Sequence, residues 1–216
     1  MASLWKHFQE GGFGMWIILF WSVVIIGITI ERALYLFGSG INKDMFLATM
    51  QKCILAGDVQ KAVKMCSAAN APLARIVQAG LVKVNRPDEE VQAAMDEAAL
   101  REIPRLSKST SYLSLLANLS MLSGLLGTVS GLISSFGAVS GESVDPSQKA
   151  RILAAGISEA MNCTAFGLIV AILGLISFAV LNGKTQGLED DINEASVQVL
   201  NLVVTNRQKV NLGGAV

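Results

Sequence analysis

Three stretches of the chain carry no acidic or basic residue and no histidine: Gly11 to Ile30, Ser109 to Gly141 and Ala160 to Gly183. A helix needs roughly 20 mostly apolar residues to cross a bilayer, and each stretch is long enough. The pattern predicts membrane spans over residues 13–30, 112–137 and 157–181. Between the first two spans the pattern changes. From Asn42 to Ala68 apolar positions recur at threes and fours (Met45, Ala48, Thr49, Cys53, Leu55), the spacing of a half-buried helix. Gly57-Asp58 divides that segment into two helices, and Asn70-Ala71-Pro72 predicts a turn with Pro72 in the first turn of the next helix. Pro87 followed by Asp88, Glu89 and Glu90 opens another helix, because acids complement the partial positive charge of a helix N-terminus. That helix is expected to run through Pro104, kinked, into the second span. Beyond the third span Leu188, Ile192, Val199 and Leu202 keep helical spacing. One helix from Arg151 to Arg207 would be about 85 Å long and would project well into the cytoplasm.

Composition sharpens this picture. Of the 216 residues 52% are hydrophobic and 16% charged, against about 25% charged in ordinary globular chains. That excludes a soluble globular domain, a secreted disulfide scaffold and a disordered tail. The formal net charge of zero conceals a segregation. Residues 31–111 and the tail from Lys184 hold fourteen Lys and Arg, whereas the opposite side holds three: Lys6, Lys149 and Arg151. Positively charged loops stay inside, so the N-terminus is expected outside and the large loop and tail in the cytoplasm. The thin positive segment at Lys6 and the Glu31-Arg32 pair that ends the first apolar run argue for a retained span rather than a cleaved signal peptide.

The chemistry-bearing residues are few. Cys53, Cys66 and Cys163 form no CxxC spacing and His7 stands alone, so no metal site and no cofactor are expected. One histidine outside the spans, no paired carboxylates within them and no HExxH argue against an enzyme. In the second span Ser120, Gly124, Thr128, Gly131 and Ser135 follow steps of four, four, three and four, with Gly127 and Ser134 beside them. Small residues let helices approach closely in lipid, so this stripe is either packing or the lining of a narrow polar pore. Glu159 is the sole ionisable residue between Ile152 and Gly183. Intramembrane carboxylates are costly and usually face a cavity or a bundle interior. The alternatives are a Glu159 at the interface, snorkelling to water or paired with Arg151. Asn162 and Cys163 share its helical face, whereas Thr164 is offset.

The segments Gly124-Leu-Leu-Gly-Thr-Val-Ser-Gly-Leu-Ile-Ser-Ser-Phe136 and Gly156-Ile-Ser-Glu-Ala-Met-Asn-Cys-Thr-Ala-Phe-Gly-Leu168 resemble the signature of the MotA/TolQ/ExbB proton-channel family. The opening Gly11-Gly-Phe-Gly-Met-Trp-Ile-Ile-Leu19 with Glu31-Arg32, then Ala56-Gly-Asp58 and Ala71-Pro-Leu-Ala-Arg75, is most similar to its ExbB/TolQ, AglR-like branch. The resemblance implies an all-α membrane protein whose three-span subunits form a homo-pentamer around two copies of a single-span ExbD/TolR-like protein. It further implies a bacterial inner-membrane motor that couples the proton motive force to an envelope partner, a TonB/TolA-like or gliding-machinery protein, with no nucleic acid involved. A non-conducting scaffold for the single-span partner is the alternative. Carried over position by position, the resemblance makes Thr128, Thr164 and Glu159 the proton pathway, beside Ser120, Gly124, Gly127, Gly131 and Ser135 as pore-lining or packing residues. The expected division is a periplasmic segment 1–12, span 13–30, cytoplasmic helical domain 31–111, span 112–137, periplasmic loop 138–156, span 157–181 and cytoplasmic helix and tail 182–216.

Overall fold

A computed structural model describes residues 12–140 and 145–206. The readings at Lys6 and His7, in residues 141–144 and in the tail beyond Asn206 lie outside the described residues. Among the described residues all regular structure is helical, as expected. The helices are α1 (Gly12–Ser39), α2 (Lys43–Leu55), α3 (Val59–Ala68), α4 (Pro72–Val82), α5 (Asp88–Ser107), α6 (Thr110–Val139) and α7 (Pro146–Thr205). Three helical stretches, containing α1, α6 and α7, are long and apolar enough to cross a membrane.

The chain divides into two compact units. The first comprises residues up to 32 and residues 109–180. Its helices leave large apolar side chains exposed, including Trp16, Phe20, Val23 and Ile26 on α1, Leu125, Val129 and Ile133 on α6, and Ile169, Ile172 and Ile176 on α7. Exposed apolar surface on this scale marks a membrane or subunit interface rather than a water-facing surface. Arg32 is buried, and its guanidinium donates to the Ser109 hydroxyl at 2.7 Å.

The second unit comprises residues 33–108 and 181 onward. Local chemistry sets its helix ends. The Asn42 side chain accepts from the Met45 N–H at 3.2 Å and opens α2. Gly57, at φ +76°, takes the left-handed conformation that ends the segment, and the Asp58 carboxylate accepts from the Lys61 N–H at 3.0 Å to open α3. Pro72 occupies the first turn of α4, where its missing N–H costs nothing. One expectation is corrected. The buried face of α2 is Phe46, Met50, Cys53 and Ile54, whereas Met45 is 70% exposed and Leu55 45%. The real face is the one that meets α3, where the Cys66 sulfur lies 3.9 Å from that of Met50. The helix from Asp88 runs through Pro104 as expected, and Asp88–Val139 form one helical stretch. Pro104 is accommodated inside α5, and the local irregularity falls at Lys108–Ser109, where the backbone stays in the right-handed helical region with Ser109 at ψ −10°.

The core of this unit is built from Met50, Ile54, Ile76, Val77, Leu81, Val91, Leu106, Val199 and Val203. Glu102 is buried on α5 and accepts from Arg75 at 3.0 Å and from Arg105 at 2.9 Å. Lys43 reaches Glu194 at 2.7 Å and Asp191 at 2.9 Å on α7. These two carboxylates, Glu194 most, raise the Lys43 ammonium above its ordinary range.

Candidate functional site

Helices α6 and α7 meet along two complementary rows of small residues. On α6 the row is Ser120, Gly124, Gly127, Gly131 and Ser135; on α7 it is Gly156, Ala160, Cys163, Gly167, Ala171 and Gly174. Adding a single carbon shows how closely they fit. A Cβ on Gly131 would stand 3.2 Å from that of Ala160, and one on Gly124 would stand 3.2 Å from the Cys163 carbonyl oxygen. One on Gly167 would come to 2.9 Å from the Ser120 carbonyl oxygen, and one on Gly156 would run into the Ser135 hydroxyl. Without side chains at these positions the backbones come together, which is how apolar helices associate where no hydrophobic effect drives them. The α6 stripe is thus taken up by the chain's own third long helix.

The hydroxyls follow from this packing. Ser120 donates to the Leu116 carbonyl at 3.0 Å, Ser135 to the Gly131 carbonyl at 2.7 Å and Thr128 to the Leu125 carbonyl at 2.6 Å, all within α6. Thr164 donates across the interface to the Gly124 carbonyl at 3.2 Å. Helix α1 closes the third side. Its Trp21 indole N–H donates to the Ser123 hydroxyl at 3.2 Å. A Cβ on Gly14 would lie 2.9 Å from the Cys163 sulfur and 3.3 Å from the Gly127 α carbon.

A cavity of about 740 Å³ opens beside this junction. Its α6 wall presents Ser123, Gly127, Ser130, Gly131, Ser134 and Ser135, and its α7 wall presents Gly156, Glu159 and Cys163. Glu159 is the one carboxylate among these lining residues. It is half-buried, and its carboxyl group lies against Gly12, the first residue of α1. Of the residues singled out from the sequence, the cavity gathers Glu159, Gly127, Gly131 and Ser135. It does not include Thr128, Thr164, Ser120 or Gly124. Asn162, on the Glu159 face of α7, keeps a buried side-chain nitrogen with no hydrogen-bond partner.

Sequence reasoning missed Ser123 and Ser130, although Ser123, Gly127, Ser130 and Ser134 follow steps of four, three and four. It also missed the α7 row, whose steps of four, three, four, four and three are as regular as those on α6. The approach of Gly12 to Glu159 carries no signal in the sequence, since it appears only when α1 and α7 are side by side.

These features define a multi-span helical membrane protein with an acid held in a hydroxyl-lined cavity between its apolar helices. Residues 68–194 match the MotA/TolQ/ExbB proton channel family, and the chain belongs to that family. It is 31% identical over 180 residues to an ExbB-like biopolymer transport protein of Synechocystis, covering 82% of this chain and 70% of that one. It is 36% identical over 98 residues to the Tol-Pal system protein TolQ of Haemophilus influenzae, covering 45% and 42%. An ExbB homologue from Methanothermobacter thermautotrophicus is 23% identical over 199 residues, 89% of this chain and 67% of its own.

Proposed function

We propose that this chain is the ion-conducting subunit of an inner-membrane motor. Five copies would surround two copies of a single-span partner of the ExbD/TolR type, and the assembly would transmit the proton motive force to an envelope protein. The observation that carries the reading is Glu159, a lone carboxylate in a cavity otherwise walled by serine hydroxyls, glycines and apolar side chains. Hydroxyls can pass a proton along but cannot hold one at physiological pH, whereas a carboxyl group can be neutral or charged. Each proton crossing delivers about 2.3 kcal/mol per 100 mV. Thr128 and Thr164 complete the pathway by family correspondence. The mismatch of five subunits to two partners leaves no single best register, so successive protonations would turn one component against the other. Residues 31–111 and the far part of α7 would lie in the cytoplasm, with the N-terminus outside.

The test is proton flux into vesicles containing the chain and its single-span partner. Glu159→Gln keeps volume and hydrogen bonding and removes the titratable charge. The expected result is an assembled complex that has lost most of its flux and all of its driven output, with Glu159→Asp retaining part of both. A Gln variant that conducts like the parent would move the transfer role to the partner alone.

A second reading has its own support. The α6 stripe packs on α7 of the same chain, and the hydroxyls of Ser120, Thr128 and Ser135 return to carbonyls of their own helix. A non-conducting scaffold that holds the single-span partner would need no more. It predicts no flux above background with every partner combination.

A further inference from the structure

The Glu159 carboxyl group occupies the space that a side chain on Gly12 would take. A Cβ built on Gly12 would fall on the Glu159 Oε1 and stand 3.1 Å from the carboxyl carbon. Gly12 also has φ +61°, a backbone conformation that a side chain disfavours. It is the opening residue of α1, and the first four N–H groups of a helix have no partner within that helix. A carboxylate placed there meets the positive end of the helix dipole. The next turn reinforces the arrangement. Gly14 and Gly127 bracket Cys163, one helical turn after Glu159 on the same face of α7, so α1 can approach α7 closely enough to reach the acid.

We infer that Gly12 is a positioning residue for Glu159: the bare α carbon at the start of the first span admits the carboxyl group and fixes where it sits in the cavity. The first span is then part of the acid's setting rather than a lipid-facing brace. The inference rests on the proposed role of Glu159 for its functional consequence, and on geometry alone for the contact.

The experiment compares Gly12→Ala, Glu159→Asp and the double variant in the full complex with the single-span partner. A methyl group on Gly12 collides with a glutamate carboxyl group, whereas an aspartate, one methylene shorter, withdraws from it. Misplacing a reacting group by about 1 Å can cost roughly a hundredfold in rate, so Gly12→Ala is expected to lower flux by roughly ten- to a hundredfold. The double variant is expected to recover to the level of Glu159→Asp alone. Backbone strain at φ +61° is common to both Gly12→Ala chains and is not relieved by a shorter acid, so the recovery separates collision from strain. Gly27→Ala, whose Cβ would meet nothing within 4 Å, is the neutral control on the same helix. If Gly12→Ala does not assemble, recovery of the complex by the second change is read instead. Multiplicative effects in the double variant, or an unchanged Gly12→Ala, would overturn the inference. Infrared spectroscopy separates this from the role of Glu159 itself. The carboxyl band that disappears in Glu159→Gln shifts in Gly12→Ala if the contact exists, whether or not the acid carries protons.

Discussion

The Thr164 hydroxyl donates to the Gly124 carbonyl, 3.2 Å away and 40 residues earlier in the chain. In an unbroken helix that carbonyl also accepts from the N–H four residues on, which belongs to Thr128. The two threonines are therefore linked through one carbonyl oxygen, although neither lines the cavity that holds Glu159. Removing the Thr164 hydroxyl leaves the Gly124 carbonyl its backbone partner, so no buried acceptor is orphaned. Thr164→Val should cost about 0.6 kcal/mol, the average for an interhelical hydrogen bond in a membrane, and should insert and assemble normally. Flux in Thr128→Val and Thr164→Val vesicles is expected to fall. Normal flux in the double Val variant would remove both hydroxyls from the path.

The small-residue rows give a sharper dependence on size. A Cβ on Gly167 would approach the Ser120 backbone to 2.9 Å, and backbone cannot swing aside as a side-chain end can. Gly167→Leu and Gly131→Leu should therefore separate α6 from α7, with loss of the assembled species in detergent and a lowered unfolding temperature. Gly27→Leu and Gly137→Leu, at positions open within 4 Å, make the comparison. Those two are expected to leave the stability of the single chain unchanged.

Those two rows also show what was legible from residues alone. Three spans, the Gly57-Asp58 break and the helix starts at Pro72 and Pro87 follow from charge-free length, a left-handed glycine and capping chemistry, all of them local. The facing of each stripe was not local. Ser120 to Ser135 reads equally as pore lining or packing until Gly156, Ala160, Cys163 and Gly167 are set opposite. The face of α2 failed for the same reason. Met45 and Leu55 fit the period as well as Met50 and Ile54 do, and contact with Cys66 on α3 decided between them. Glu159 was found because a lone charge in an apolar run is conspicuous, but its contact with Gly12 depends on how two distant helices meet.

In the second unit the buried Glu102 carboxylate accepts from both Arg75 and Arg105. The two arginine side chains are 43% and 59% exposed, so water screens them well, and the carboxylate is the group with most to lose. Hydrogen bonds to charged groups contribute about 1.5–3 kcal/mol, which solvent screening should reduce to roughly 1–2 kcal/mol here. Glu102→Ala should lower stability by that amount, measured by thermal unfolding in detergent. Arg75→Ala should cost less, because Arg105 remains with the carboxylate.

Burial, and next the neighbouring Cys53, push the Cys66 thiol up to about 11. A thiol whose folded pKa is raised favours the protonated form. Its contribution to stability is complete below the unfolded value of about 8.5 and is lost as pH rises toward the folded one. Only the thiolate reacts readily, and Cys53, Cys66 and Cys163 are all buried. Maleimide labelling of the native chain at neutral pH should therefore be negligible and should become complete in denaturant. Labelling of the native chain at Cys66 near neutral pH would show that α2 and α3 open readily.

The orientation in the membrane can be decided by the same chemistry applied from one side. Fourteen Lys and Arg in residues 31–111 and the tail, against three on the opposite side, predict that the helical unit between the first two spans lies inside the cell. Because the native thiols are buried and should not label in the folded chain, single reporters can be introduced on the surface without replacing them. Ser67, exposed near the end of α3, reports on that unit, and Ser140, exposed just past the end of α6, reports on the opposite side. With a membrane-impermeant maleimide added to intact cells made permeable in the outer membrane only, Ser140→Cys should label and Ser67→Cys should not. Ser67→Cys should label once the inner membrane is opened, which shows that its silence came from location and not from burial. The reverse pattern would invert all three spans. It would place the Lys43–Glu194 and Arg75–Glu102 contacts outside the cell and the opening of α1, with Gly12 and Glu159, at the cytoplasmic face, so that protons would meet Glu159 late in their crossing instead of early.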